Sequence, residues 1–400
     1  MTGVSTLAQT LNQIERITDQ QVLLNTLSNQ LATGKKTDEF SGLGNDVLQS
    51  QRARADLSSL DTYLNNIIIA ENRTSLTLNT ISEFQQQAEN FADALVDFTQ
   101  ESTHQQGDVV FFDDPLTPDE EEFIRVGHSS ALPDVDFETL QNLAGTIYDY
   151  AIDLLNTDSN GRYIFSGADI DTPPIIDTGV LDSAISSQVS EWKLGNITNE
   201  DLIADLQDRS IDDGNLDALS DTVIGYSASL SANTAGNVYA RVDDTAEIDT
   251  TVFANDVAFR DVLVGLAYLK NADIGPIADE VEIDEFTGLP VVLTEGAPGD
   301  TVDEMKDNFF EVYNTVVGMV VQALDQIDQQ RFQLENSRVR LNEIKQNHIE
   351  EQNILETTIS SIEDVDINDV AVRLNAVQVQ LEASYGITAR VQQLSLVNFI

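Results

Sequence analysis

From Ile327 onward one position returns every seven residues: Ile327, Leu334, Leu341, His348, Leu355 and Ile362, a single histidine among branched aliphatics. Ile344, Ile359 and Val365 add a second apolar set. After Val365-Asp366-Ile367-Asn368-Asp369 the spacing resumes as Val370, Leu374, Val377 and Leu381. Four-three-four spacing places these side chains on one helix face, and a sustained repeat of roughly 3.5 residues predicts a coiled coil. No proline or glycine between Val320 and Tyr385 stops the helices. Asn368 is the expected cap of the second helix, and His348, polar at a heptad position, is expected to fix register.

So long a seam needs a partner, and the N-terminus carries the matching pattern. Thr6 to Ala32 reads as a helix with Leu7, Leu11, Ile14, Leu24, Leu27 and Leu31 at three-four spacing, ended by Gly34 in the left-handed position. After a loop over Glu39 to Gly44, Asn45 or Asp46 caps a second helix through Leu57, Ile67, Ile81, Phe91 and Leu95 to Thr103. At roughly 55 residues it exceeds the usual helix length and suggests a bundle rod.

Between these ends the pattern changes. Prolines 115 and 118 and the acidic run Asp119 to Glu122 mark an exposed loop over 105–133. Asp136 to Asn156 is helical again, and Asn160-Gly161 turns the chain into a strand over Arg162 to Ser166. Short helices follow near Asp182 to Trp192 and Thr198 to Gln207. Strands are expected over Asn237 to Val242 and Ala246 to Phe253, and again at Leu289 to Leu293. Asn255 is placed to cap a helix through Phe259, Val262, Leu266 and Leu269.

The fold class expected is mainly α: an elongated coiled-coil or helical-bundle rod made from both chain ends, with an inserted α+β domain. Residues 1–40 and 366–400 form a terminal coiled-coil segment. Residues 41–174 and 301–365 form the rod with a β-hairpin near 162–174, residues 105–133 are an acidic loop insertion, and 175–300 are the central domain.

Charge narrows the function classes. The chain of 400 residues has 69 acidic and 20 basic side chains, a net charge of −49. Nucleic-acid binding needs a positive face that displaces counterions, and anionic lipid repels such a surface, so neither partner is expected. No apolar run approaches the roughly 18 residues of a membrane span. There is no cysteine, so packing alone must hold the fold and the chain refolds without mispairing. Met1 to Gln30 lacks the basic start and apolar centre of a cleaved signal.

Catalytic chemistry is not legible. The three histidines, His104, His128 and His348, lie far apart and in no metal-ligand spacing. No nucleophile elbow, phosphate loop or dinucleotide fingerprint is present. Asn156, Asp158, Asn160 and Gly161 match the first half of a calcium loop, but Gly167 stands where its bidentate glutamate belongs, and the stretch reads better as a helix end and turn. No enzyme, cofactor or metal is expected.

Both chain ends carry a resemblance. Leu27-Ser28-Asn29-Gln30-Leu31-Ala32-Thr33-Gly34-Lys35-Lys36 resembles the N-terminal segment of flagellins and flagellar hook-associated proteins. So do Ser361 to Asp366, Leu381 to Tyr385 and Leu394 to Ile400 at the other end. Tyr163-Ile164-Phe165-Ser166-Gly167, followed by Asp171-Thr172-Pro173-Pro174, is similar to a segment of the third hook-associated protein type. The chain departs from the family pattern at Phe40 to Asp46, where many members carry a Ser-Asp-Asp-Pro type loop, and in the acidic loop.

The resemblance implies a structural part of the bacterial flagellum, exported through the flagellar type III apparatus without a cleaved signal and located outside the cell at the junction of hook and filament. The alternatives are flagellin itself and a flagellin-like secreted adhesin. The implied partners are the first hook-associated protein (FlgK type) and flagellin as axial neighbours, further copies of the chain in a ring, and an export chaperone on the C-terminal helix. The residues then expected to carry assembly are Leu7, Leu11, Ile14, Leu24, Leu27 and Leu31, with Val370, Leu374, Val377, Leu381, Leu394, Leu396 and Phe399. The competing possibility is that they form ordinary intramolecular core.

Overall fold

A computed structural model describes residues 2–102, 110–111, 124–125, 134–209, 218–272, 280–283, 290–294 and 302–397. The chain is mainly α, with long helices at both ends, as the apolar spacing predicts. Helix α1 spans Thr2–Thr33 and ends on Gly34 at φ 72°, the left-handed conformation that costs glycine least. A 3₁₀ segment, Phe40–Asp46, leads into α2, Val47–Ser102. Strands β1 (Val110–Phe111) and β2 (Ile124–Arg125) pair antiparallel inside the acidic loop, the rest of which lies outside the described residues. Helix α3 follows, Asp134–Leu155.

Strands β3 (Asp158–Ser159) and β4 (Arg162–Tyr163) form a hairpin. It sits earlier than the hairpin expected near 162–174. Asn160 and Gly161 both take positive φ, 56° and 76°, which closes a two-residue turn and pairs residues 158–159 with 162–163. Ile164 and Phe165 leave the hairpin and enter the core instead. Gly167 has φ 64°, and a Cβ there would stand 2.5 Å from the Gly236 carbonyl oxygen, so only glycine fits the end of this segment.

Helices α4 (Val180–Lys193) and α5 (Asn199–Gln207) follow. Thr198 starts α5 by a reciprocal cap: its hydroxyl accepts from the Asp201 amide, and its own amide donates to the Asp201 carboxylate. Two single turns, α6 (Asp221–Ile224) and α7 (Ala228–Ser231), precede a hairpin of β5 (Tyr239–Arg241) and β6 (Glu247–Asp249). Helix α8 spans Val257–Asn271. Asp256, not Asn255, is the residue before it; the Asn255 amide donates instead to the Asp221 carboxylate at 2.7 Å. Strands β7 (Glu280–Ile283) and β8 (Pro290–Thr294) make the last hairpin. Helices α9 (Val302–Glu363) and α10 (Ile367–Val397) complete the chain. Asp366, rather than Asn368, caps α10, its carboxylate accepting from the Asn368 and Asp369 amides at 2.9 and 3.4 Å.

By its internal contacts the chain divides into residues 1–65 with 344–400, and residues 66–343. The second unit is built on α8, which is buried on every side and not, as its spacing suggests, on one face. Residues of α2, α3, α4 and α9 share one core with it, including Phe84, Phe91, Ile147, Leu181, Val316 and Val320. The Phe84 ring meets Phe259 edge-on at 5.0 Å, a favourable aromatic geometry. Gly265 permits close approach of α9, since a Cβ there would come within 2.7 Å of Val320. The half-match to a calcium loop has another use: Asn156 exchanges two hydrogen bonds with the Ile175 backbone, and the Asp158 carboxylate accepts from the Gly161 amide. Among the described residues no cluster of His, Asp or Glu could hold a metal ion, and no helix is long and apolar enough to cross a membrane.

Candidate functional site

The first unit brings the two chain ends together as an antiparallel pair, α1 against α10. Leu27 meets Val370, Val377 and Leu381 in a small buried cluster, with Leu24 and Leu374 partly buried beside it. Toward the free ends polar contacts take over: Gln21 donates to the Tyr385 hydroxyl at 2.6 Å, and Gln13 to the Thr388 hydroxyl at 3.0 Å. Six of the expected assembly residues, Leu24, Leu27, Val370, Leu374, Val377 and Leu381, are therefore seam residues within one chain. Leu11 and Ile14 point elsewhere, 58% and 54% exposed, and Leu31 is exposed at the edge of the seam. Leu7, Leu394 and Leu396 lie on α1 and α10 with side chains outside those described, and Phe399 lies outside the described residues.

Residues that the expected set omits complete the surface. Val372 and Val379 each stand two positions beyond a buried valine, Val370 and Val377, and two residues is roughly 200° around a helix. They are accordingly 68% and 64% exposed on the face of α10 opposite the seam. Ile387 joins them, and Leu11, Ile14 and Val22 occupy the corresponding face of α1. Both helices are thus apolar on two sides, one used within the chain and one presented outward. The doubled spacing 370/372 and 377/379 is the signal that one-face reasoning overlooks.

Charge is withheld from this pair. Helix α1 carries only Glu15, Arg16 and Asp19, and α10 only Asp369, Arg373, Glu382 and Arg390. Residues 1–65 and 344–400 hold 7 and 8 acidic against 5 and 3 basic side chains, whereas residues 66–343 hold 54 acidic against 12 basic. The terminal unit therefore carries far less net charge than residues 66–343.

The base of the pair is locked where both long helices break. The Val365 amide donates to the Gly34 carbonyl at 2.9 Å and the Lys36 amide to the Glu363 carbonyl at 2.6 Å. The Lys36 ammonium donates to the carbonyls of Ser361 and Ile362, neutralising the negative end of α9. Glu363 is buried and accepts from Arg54 twice, at 2.8 and 2.5 Å, from Ser50 at 2.5 Å and from Lys35 at 3.5 Å. Hydrogen bonds from Arg54, then from Ser50, hold its carboxyl down to about 2 against the opposing effect of burial. Fifteen residues earlier on α9, His348 is buried with its ring 6.1 Å from that of Tyr63.

A depressed carboxyl contributes stability that is complete above its unfolded value near 4.5 and lost as pH falls through about 2. The shift corresponds to about 3 kcal/mol, and about 2 kcal/mol once screening of the half-exposed Arg54 and Lys35 is allowed for. Glu363→Gln is expected to lower stability by that amount at pH 7 and by little at pH 2, read from urea unfolding followed by far-UV circular dichroism. An equal loss at both pH values would show that the charge is not what the junction uses.

Residues 317–400 match the family model for the C-terminal helical region of bacterial flagellin. The end of this chain is flagellin-like. The matched span covers the last three quarters of α9, the C-terminal side of the locked junction and the whole of α10, including both apolar faces of that helix. The match covers 84 of the 400 residues, and the likeness to flagellin is that of this C-terminal helical region. No curated protein matches the sequence. Among solved structures, a protein of Vibrio parahaemolyticus assigned as a flagellar hook-associated protein is 10% identical, with 80% of this chain and 97% of that chain covered and a TM-score of 0.41.

Proposed function

We propose that this chain is the protein of the hook–filament junction, of the third hook-associated (FlgL) type, on which flagellin polymerises. The observation that carries an assembly role is the terminal pair itself: a helix pair close to neutral and apolar on both sides, in a chain that is otherwise strongly acidic. Such a pair is suited to lie among like pairs of neighbouring copies in a ring, and against the first hook-associated protein and flagellin along the axis. The choice of the junction over the filament rests on the Tyr163 to Pro174 segment and the Leu394 to Ile400 ending.

Export unfolded through the type III apparatus suits a chain without cysteine. An export chaperone would take the outward face of α10 before assembly covers it. A second reading, flagellin, is favoured by the family match at the C-terminus.

Immunogold labelling of intact flagella with an antibody to residues 175–300 separates these readings. Gold is expected in a narrow band where hook meets filament. Gold along the whole filament would make the chain a flagellin, and flagella without gold would leave a secreted adhesin.

A further inference from the structure

Residues 66–343 carry 54 acidic and 12 basic side chains, a net charge of −42. Were each base to take a different acid, 42 carboxylates would still lack a cationic side chain of this unit. The bases do not spread even that far, since Asp261 alone serves both Arg209 and Arg260, at 3.5 and 2.8 Å. Like charges also stand at neighbouring positions. Glu89, Asp93 and Asp97 follow one another at four-residue intervals on α2, all exposed, and Asp149 and Asp153 do the same on α3. Four residues is the spacing at which a helix surface gains from opposite charges and loses from like ones. The β5–β6 hairpin repeats the arrangement, with Asp243, Asp244, Glu247 and Asp249 beside a single base, Arg241.

This repulsion acts on the folded unit far more than on the unfolded chain, where like charges move apart, so it lowers the stability that the apolar core supplies. Dissolved cations screen it over the Debye length, about 8 Å at 0.15 M salt and about 3 Å at 1 M. Side chains four apart on a helix stand roughly 5–6 Å from one another at Cβ. Ordinary ionic strength therefore leaves the α2 and α3 neighbours within the screening distance of each other, and only salt on the order of 1 M brings that distance below their separation. The terminal segments, with 15 acidic against 8 basic side chains, have no comparable excess.

We propose that residues 66–343 form a salt-requiring unit: dissolved monovalent cations supply the counter-charge that the chain lacks, and the fold reaches its full stability only at about 1 M salt. The property belongs to the single chain and does not depend on what it assembles with.

Trp192 is the only tryptophan and is 3% exposed in α4, so its fluorescence reports on this unit within the full-length chain. The urea midpoint read from it is expected to shift upward as KCl is raised from about 0.1 M to about 1 M. A variant carrying Asp93→Asn, Asp97→Asn, Asp149→Asn and Asp153→Asn together is expected to start at a higher midpoint and to shift less, so that the two chains draw together in high salt. A wild-type midpoint that does not move with salt overturns the proposal. An equal shift in both chains also overturns it, because the salt would then be acting on apolar burial and not on charge. A variant less stable than the wild type in low salt would show that these acids stabilise the fold, and the proposal fails on that outcome too.

Discussion

Val372→Glu combined with Val379→Glu is expected to abolish assembly, with complete loss of sedimentable oligomer, while the folded chain keeps its helix content and unfolding midpoint. Both valines are more than 60% exposed in the single chain and touch neither the seam with α1 nor its buried cluster. A carboxylate at either position therefore stays hydrated before assembly and costs the fold little. Once a neighbouring copy covers the face, each charge loses its water without gaining a partner, and burial of an unpaired charge is among the most expensive events available to a protein. Leu381→Glu serves as the contrast. Leu381 is buried between α1 and α10, so its charge should also prevent incorporation, but by opening the pair, with faster amide exchange along both helices. If the valine variant assembles normally, the outward face of α10 is not an interface.

Arg260→Ala is expected to destabilise residues 66–343 by about 3–5 kcal/mol, the range for breaking a buried charge pair, with urea unfolding as the measurement. Arg260 is 1% exposed within α8, among Phe259, Val262 and Val264. Its guanidinium donates to the Asp261 carboxylate at 2.8 Å and to the carbonyls of Asp208 and Leu219 at 2.9 and 3.3 Å. Those acceptors lie on both sides of the 210–217 segment, so one side chain ties its two flanks to the core helix. Truncation removes a donor from the buried Leu219 carbonyl and opens a void in a close-packed interior. Arg260→Met fills the void but supplies no donor, and should recover only part of the loss. A variant as stable as the wild type would mean that other groups hold these flanks.

The two predictions probe different kinds of residue, and the sequence exposes them to different degrees. Phe84, Phe91, Ile147 and Val316 announce themselves by helical spacing, because a side that must face a core has to be apolar at that period. Helix α8 does not, since burial on all sides removes the polar face that would mark its orientation, and Arg260 then looks like an ordinary solvent-facing charge. Asn255 and Asn368 are plausible caps by type, but an aspartate, Asp256 or Asp366, stands directly before each helix, because the start depends on where the backbone turns. The hairpin at Asp158–Tyr163 follows from Asn160-Gly161, yet its two-residue turn sets the pairing register ahead of the most β-prone residues.

The sequence by itself determined the long terminal helices, the break between α9 and α10, the glycine stop of α1, the acidic surface and the flagellin-like ending. Each of these depends on local spacing, composition or a residue's own backbone freedom, which a linear reading captures. Tertiary structure alone decided which apolar residues at the chain ends are internal. Leu27, Val377 and Leu381 are enclosed by the antiparallel pairing of two segments more than 330 residues apart, whereas Leu11, Val372 and Val379 are left outward by the same pairing. It also decided that Lys35, Arg54, Ser50 and Glu363 converge on one junction. A helix with two apolar faces does not state in its sequence which face its own chain will cover; that depends on which partner the fold brings beside it.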